Sequence, residues 1–241
     1  MKTFLCKQQA GFDGVDYIAS IKDLFSPPNK VIYLAKKYAI TIKAVHIPVL
    51  LVIHTPKLFI NKIAKLYGYF PESEMFNFHL SGFINPLGRR ISALEKFIQV
   101  MKNTKINISC ESNPNEYIIF KYYPRETFDP DLFARFCISH NLPINLDTSH
   151  IAAWNYDVVE FFKKYHQHIN LMHLSDMTST KQHLPFGKGI LPLEKLFKEM
   201  KKASYSGNVV FEVSNFPKGT SKENLLREIK YCTSMFKKFL L

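Results

Sequence analysis

Long hydrophobic runs are missing from this chain. No stretch of about 18 apolar residues occurs, the length that a membrane-spanning helix requires. The longest, Val45–Ile53, is broken by His46 and Pro48 and is followed by His54. The N-terminus, Met1-Lys2-Thr3-Phe4-Leu5 continuing into Cys6-Lys7-Gln8-Gln9, does not have the pattern of a signal peptide. A cytoplasmic location with no membrane partner is expected. Cysteine is scarce: Cys6, Cys110, Cys137 and Cys232 are widely spaced and form no CxxC. That argues against a disulfide framework or a thiolate zinc site and predicts reduced, buried thiols. No GxGxxG, no Walker motif and no serine in a nucleophile-elbow context are present. Gly187-Lys188-Gly189, after Pro185-Phe186, is only a tight loop with a faint likeness to a phosphate cradle. No Pro/Gly/Ser linker or low-complexity segment divides the chain, so one domain over residues 1–241 is expected.

Arginine is scarce too. The net charge is +12, but only five of the 32 basic residues are Arg. Basic proteins often meet phosphate. Here the excess is lysine, much of it on predicted helices such as Lys195–Lys202 and Lys230–Lys238, where a solvated face accounts for it. Charge alone therefore does not single out a nucleic-acid partner.

What is present is a core and an alternating pattern. With 46% hydrophobic residues in 241, a sizeable core can be buried. Short β-rich runs alternate with amphipathic stretches, the pattern of βα units around a parallel sheet. Strands are predicted at Gly14–Ile18, Ile40–Ile47, Met75–Leu80, Ile106–Glu111, Ile144–Asp147, Ile169–Leu174 and Asn208–Val213. Helices are predicted at Lys30–Tyr38, Pro56–Leu66, Arg90–Met101, Pro130–His140, Val158–Tyr165, Leu193–Ala203 and Lys222–Leu240, with another at Lys2–Ala10. The fold class is α/β, a TIM-type (β/α) barrel with seven strands and without the usual first one. Either the start of the sequence lies downstream of the true start or the barrel lacks that strand; the latter would leave an open edge.

The chemistry sits at the strand ends. His46, His79, Glu111, Asp147 with His150, His173 with Asp176, and Glu212 each close an apolar run. In a parallel α/β barrel all strand C-termini meet at one face, so residues far apart in sequence converge there. His183, in the loop after His173, joins that face. Carboxylates and neutral imidazoles bind Zn²⁺ or Mn²⁺, and such an ion polarises a carbonyl or hydroxyl or generates hydroxide. Two carboxylates on opposite sides of a sugar can also exchange protons. Asp176 either binds substrate or orients its loop. Arg89 and Arg90 either reach a phosphate or begin a solvated helix. His54, His140, His166 and His168 lie on or beside helices and read as structural or exposed.

From Gly11 to the C-terminus the chain resembles the xylose-isomerase-like barrel superfamily, which holds sugar isomerases and epimerases together with the endonuclease IV type of apurinic endonuclease. The resemblance is carried by Gly11-Phe12-Asp13-Gly14-Val15-Asp16, Leu146-Asp147-Thr148-Ser149-His150, Met172-His173-Leu174-Ser175-Asp176, His183-Leu184-Pro185-Phe186-Gly187-Lys188-Gly189 and Val209-Val210-Phe211-Glu212. Asp16 stands where the family's second strand usually ends in Glu. By this resemblance Glu111, Asp147, His173 and Glu212 hold one divalent metal, Mn or Zn. Glu111 and Glu212 double as the catalytic acid/base pair, and His150 contacts the substrate.

The endonuclease branch adds ligands that match His46, His79, His150 and His183. Its remaining ligand, an Asp two residues before the last His, is Lys181 here, and Ser149 stands where that branch usually has Cys. Two metals remain chemically plausible, one held by His46, His79 and Glu111 and the other by the quartet. The resemblance thus implies a metal-dependent isomerase or epimerase of a sugar or sugar phosphate. His150, His183, Lys181, Asp176, Arg89 and Arg90 are its expected substrate contacts. The alternative is a zinc-dependent endonuclease on abasic DNA, and a further one is a degenerate or truncated barrel without activity. The sequence does not fix the oligomeric state.

Overall fold

The computed structural model describes residues 11–47, 56–80, 98–101, 107–112, 129–214, 216 and 219–240, with the backbone only for 56–60. Seven strands pair in sequence order, each parallel to the next. They are β1 (Val15–Ile18), β2 (Ile42–His46), β3 (Met75–His79), β4 (Ile108–Glu111), β5 (Ile144–Asp147), β6 (Ile169–Leu174) and β7 (Asn208–Phe211). The helices are α1 (Asn29–Lys37), α2 (Pro56–Tyr67), α3 (Pro130–Ser139), α4 (Thr148–Ala153), α5 (Val158–Tyr165), α6 (Leu193–Lys202) and α7 (Lys222–Leu240). The sheet curls into a nearly closed TIM-type barrel: Phe12, before β1, packs edge-on against Phe211 of β7 with ring centroids 5.1 Å apart.

Every residue of β3, β4 and β5 is buried. Strands covered on both faces need continuous rather than alternating apolar runs. Their polar members fall where the barrel interior collects them. Outer helices such as α5 and α6 each present one apolar stripe. On α6 it is Leu193, Leu196, Phe197 and Met200, a helical i, i+3, i+4, i+7 spacing. Asp129 caps α3 through Leu132 N (2.9 Å), and Asp157 caps α5 through Val159 N (2.7 Å). Phe76, Phe78, Phe133, Phe161, Phe162, Phe186 and Phe197 fill the layer between sheet and helices.

The seven expected strands are the seven found among the described residues, most of them shorter at one end or both. β2 begins at Ile42 rather than Ile40, and β7 ends at Phe211, so Glu212 stands just past its strand. The helix expected at Arg90–Met101 is described only at residues 98–101, and that at Lys2–Ala10 lies outside the described residues. α4 was not anticipated. Among the described residues, the outer edges of β1 and β7 have no ladder partner. A cavity of about 950 Å³ opens there, lined by Val15, Val209, Phe211, Ile229 and Phe236 among others. No described helix is long and apolar enough to cross a membrane. Cys110, Cys137 and Cys232 are buried free thiols, as expected.

Candidate metal centre

Strand register sets the site. His79 of β3 is directly opposite Glu111 of β4, and Asp147 of β5 is opposite His173 of β6. Glu212 continues β7, its N–H donating to Leu174 O (3.0 Å). The side chains form three overlapping groups, each with its ligand atoms within 4.8 Å of one another: His46, His79 and Glu111; Glu111, Asp147, His173 and Glu212; Asp147, His150 and His183. Glu111 and Asp147 are shared between groups.

Glu111 is the most tightly held. Its Oε2 accepts from Asn145 Nδ2 (2.8 Å) and from Asn77 Nδ2, with His46 Nε2 at 3.3 Å. His150 Nδ1 is 2.7 Å from Oε1. Asp147 divides its labour. Oδ1 accepts the His150 N–H (2.9 Å) as the N-cap of α4, whereas buried Oδ2 has no hydrogen-bond partner among the described residues. The strand-end aspartate therefore does have a structural use, and one oxygen is left over. His173 Nδ1 and Glu212 Oε2 lie 2.6 Å apart without hydrogen-bond alignment. Buried donor atoms that converge without satisfying one another suit a cation, since leaving them unpaired is costly. The residues fit a divalent metal.

The Ser112 carbonyl lies 3.2 Å from His79 Nδ1 and 3.1 Å from His150 Nδ1. Each ring that carries its proton on Nδ1 presents its lone pair on Nε2, and a free lone pair on one nitrogen is what a metal requires. Burial drives His79 down to about 3, so it is neutral at neutral pH. Burial also depresses His150, but Asp147 and Glu111 outweigh it and raise the group to about 9. His46 and His173 are likewise raised, burial being overcome mainly by Glu111 for the first and by Glu212 and Glu111 for the second. Burial pushes the glutamates up, and the imidazoles pull Glu111 and Glu212 below the usual carboxylate range. For Asp147 burial wins and the group is raised. In the metal-free protein, protons on imidazoles balance these carboxylates.

The remaining expected contacts divide. His183, at a positive φ of 53°, brings Nδ1 to 4.0 Å from Asp147 Oδ2. Asp176 does not open onto the site. Its Oδ1 accepts from Met177 N and Leu191 N (2.8 and 3.0 Å), and its Oδ2 from Gly187 N and Gly189 N (3.0 and 2.9 Å). It organises the loop that presents His183, because all its acceptor strength is spent on that backbone. Gly189 allows this approach: a Cβ there would fall 2.3 Å from Asp176 Oδ1. Lys181 is exposed in a turn closed by Thr178 N donating to Lys181 O (2.9 Å). Arg89 and Arg90 lie outside the described residues.

Sequence reasoning missed Asn77, Asn145 and the Ser112 carbonyl. A signal for the two asparagines existed. Asn77 stands two residues before His79 and Asn145 two before Asp147, so strand periodicity puts each pair on one face.

Fold and site together define a barrel with a carboxylate–imidazole centre at the strand C-termini. The sequence matches the xylose isomerase-like TIM barrel family over residues 74–235. The chain belongs to that family. Among solved structures it is similar to a D-tagatose 3-epimerase-like protein (20% identity, TM-score 0.69, covering 95% of this chain and 89% of that one). It is also similar to the D-psicose 3-epimerase from Clostridium cellulolyticum H10 crystallised with D-tagatose (14% identity, TM-score 0.73, covering 99% and 92%). A third is the probable 3-DHS dehydratase involved in petrobactin synthesis from Bacillus anthracis (15% identity, TM-score 0.70, covering 96% and 92%). At such identities the likeness is one of fold. No curated protein matches significantly.

Proposed function

We propose that the protein is a divalent-metal-dependent isomerase or epimerase of a sugar or sugar phosphate, acting by proton transfer next to a carbonyl. The observation that carries this reading is the pairing of two unequal glutamates in one donor group. Glu111 is wholly buried and gripped by two amides, whereas the Glu212 side chain is 21% exposed. Mn or Zn held by Glu111, Asp147, His173 and Glu212 would polarise adjacent substrate oxygens. Glu212, the more open carboxylate, removes the proton. Glu111, with His150 Nδ1 beside it as a proton source, serves the opposite face. His150 and His183 orient the substrate, and the loop carrying Lys181 stands at the rim. Two of the proteins with similar folds are a D-tagatose 3-epimerase-like protein and a D-psicose 3-epimerase, which agrees with this reading.

One observation favours a second reading. The groups His46–His79–Glu111 and Asp147–His150–His183 flank the quartet and supply more donors than a single cation needs. A cluster of metals on a chain of charge +12 suits a phosphodiesterase acting on abasic DNA. Metal analysis of protein purified without chelator separates the two. About one Mn or Zn per chain, with epimerisation of a ketose or ketose phosphate from a panel, supports the isomerase. Two or three Zn, with salt-sensitive nicking of an abasic duplex, overturns it.

A further inference from the structure

We propose that Asp16 is a positioning residue that sets the tautomer of His173 for metal binding. The inference rests on the reading of the quartet as a metal site. His173 is fully buried on β6, and its two ring nitrogens face different groups. Nδ1 lies 2.6 Å from Glu212 Oε2 and 3.5 Å from Glu111 Oε2, toward the quartet. Nε2 lies 3.2 Å from Asp16 Oδ2, on β1, within ion-pair range but without hydrogen-bond alignment.

A neutral imidazole has one N–H and one lone pair. Only the tautomer protonated on Nε2 directs its lone pair at the quartet. A carboxylate at Nε2 selects that tautomer, fixes the ring plane and makes Nδ1 a better donor. The Asp16 side chain is 6% exposed. Its buried Oδ1 has no hydrogen-bond partner among the described residues, so that oxygen does not tie the carboxylate to another element. β1 and β6 are not neighbours in the sheet. The contact crosses the barrel interior and exists only because the sheet curls.

The test is Zn²⁺ affinity, measured by competition with a chromophoric chelator, for wild type, Asp16→Ala, Asp16→Asn and Asp13→Asn. Asp13 is an exposed carboxylate on the same segment and controls for net charge. Asp16→Ala is expected to weaken Zn²⁺ binding about 10–100-fold. In the Zn²⁺-loaded protein its His173 Nε2 ¹⁵N signal should shift and the Nε2–H should exchange faster, because the facing carboxylate is gone. Asp16→Asn, which keeps an acceptor oxygen, should fall between, and Asp13→Asn should match wild type. Should Asp16→Ala be insoluble, the near-isosteric Asp16→Asn carries the comparison. Wild-type affinity and a wild-type Nε2–H signal in the Asp16 variants overturn the proposal, as does an equal loss in Asp13→Asn. Failure of wild type itself to bind Zn²⁺ or Mn²⁺ overturns the proposed function, and is told apart because it needs no variant.

Discussion

His79 and His150 turn Nδ1 toward the same acceptor, the carbonyl of Ser112, with their ring centroids 5.5 Å apart. A backbone oxygen just past β4 thereby orients two imidazoles from different elements. One belongs to the group around His46, the other to the group around His183, and Glu111 and Asp147 join both groups to the quartet. Substitutions in the shared carboxylates should therefore act differently from substitutions in the outer histidines.

Glu111→Gln should abolish stoichiometric metal binding, because Glu111 serves two of the three groups. His79→Ala should leave at least one metal per chain, since the quartet does not include it. Elemental analysis of the two variants purified without chelator checks this. Full metal in Glu111→Gln would contradict the shared role.

Glu212→Gln should keep the fold and lose proton transfer. Removing a general base typically costs about 10²–10⁴-fold in rate. The measurement is exchange of the substrate's carbon-bound proton with solvent deuterium, on whichever ketose the panel identifies. Undiminished exchange would transfer the role to another group.

The metal-free protein should be most stable near pH 6.5. The folded chain binds the His150 proton with a pKa of about 9 against 6.5 for a free imidazole. That stability is fully present below pH 6.5 and is lost as pH rises through about 9. His79 works in reverse: held down at about 3, it contributes stability above pH 6.5 that is lost as pH falls toward 3. Thermal melts of the apo protein across this range should show both slopes. His150→Gln should flatten the alkaline one.

Asp176→Asn should loosen the loop over residues 176–191. The carboxylate accepts four backbone N–H groups and the residue is 1% exposed. An amide cannot accept all four, and a buried unsatisfied group costs about 1–3 kcal/mol. A lowered melting temperature, with faster amide exchange at Gly187 and Gly189, is expected. Unchanged exchange there would show that the loop is held by other contacts.

Much of the architecture was legible because burial on both faces makes each strand a short unbroken apolar run. Val209–Phe211 and Leu171–Met172 read that way before any pairing is known, and Met75–Phe78 does so with Asn77 as its one interruption. Helices such as α6 announced themselves through one apolar stripe. The cluster of titratable groups was legible for a related reason: a charged or imidazole side chain that closes an apolar run comes to the face where the strand C-termini meet. What escaped were residues whose role is relational. Asp147 looked like a ligand alone, yet one oxygen caps α4. For Asp176 the sequence left two uses open, and its acceptors face backbone N–H groups up to 15 positions away, which makes it the organiser of its loop. Asn77 and Asn145 looked like ordinary polar residues until both were found on Glu111.

The sequence by itself determined the local rules: which runs become strands, which faces of helices turn inward, and which titratable groups stand at the strand ends. Those follow from periodicity and from the cost of burying polar groups, which act over a few residues. Tertiary structure alone decided the grouping, namely which carboxylate joins which imidazoles, which ring nitrogen faces the quartet, and that Asp16 of β1 meets His173 of β6. Those depend on strand register and on the curl of the sheet, which bring together atoms more than 150 residues apart in the chain.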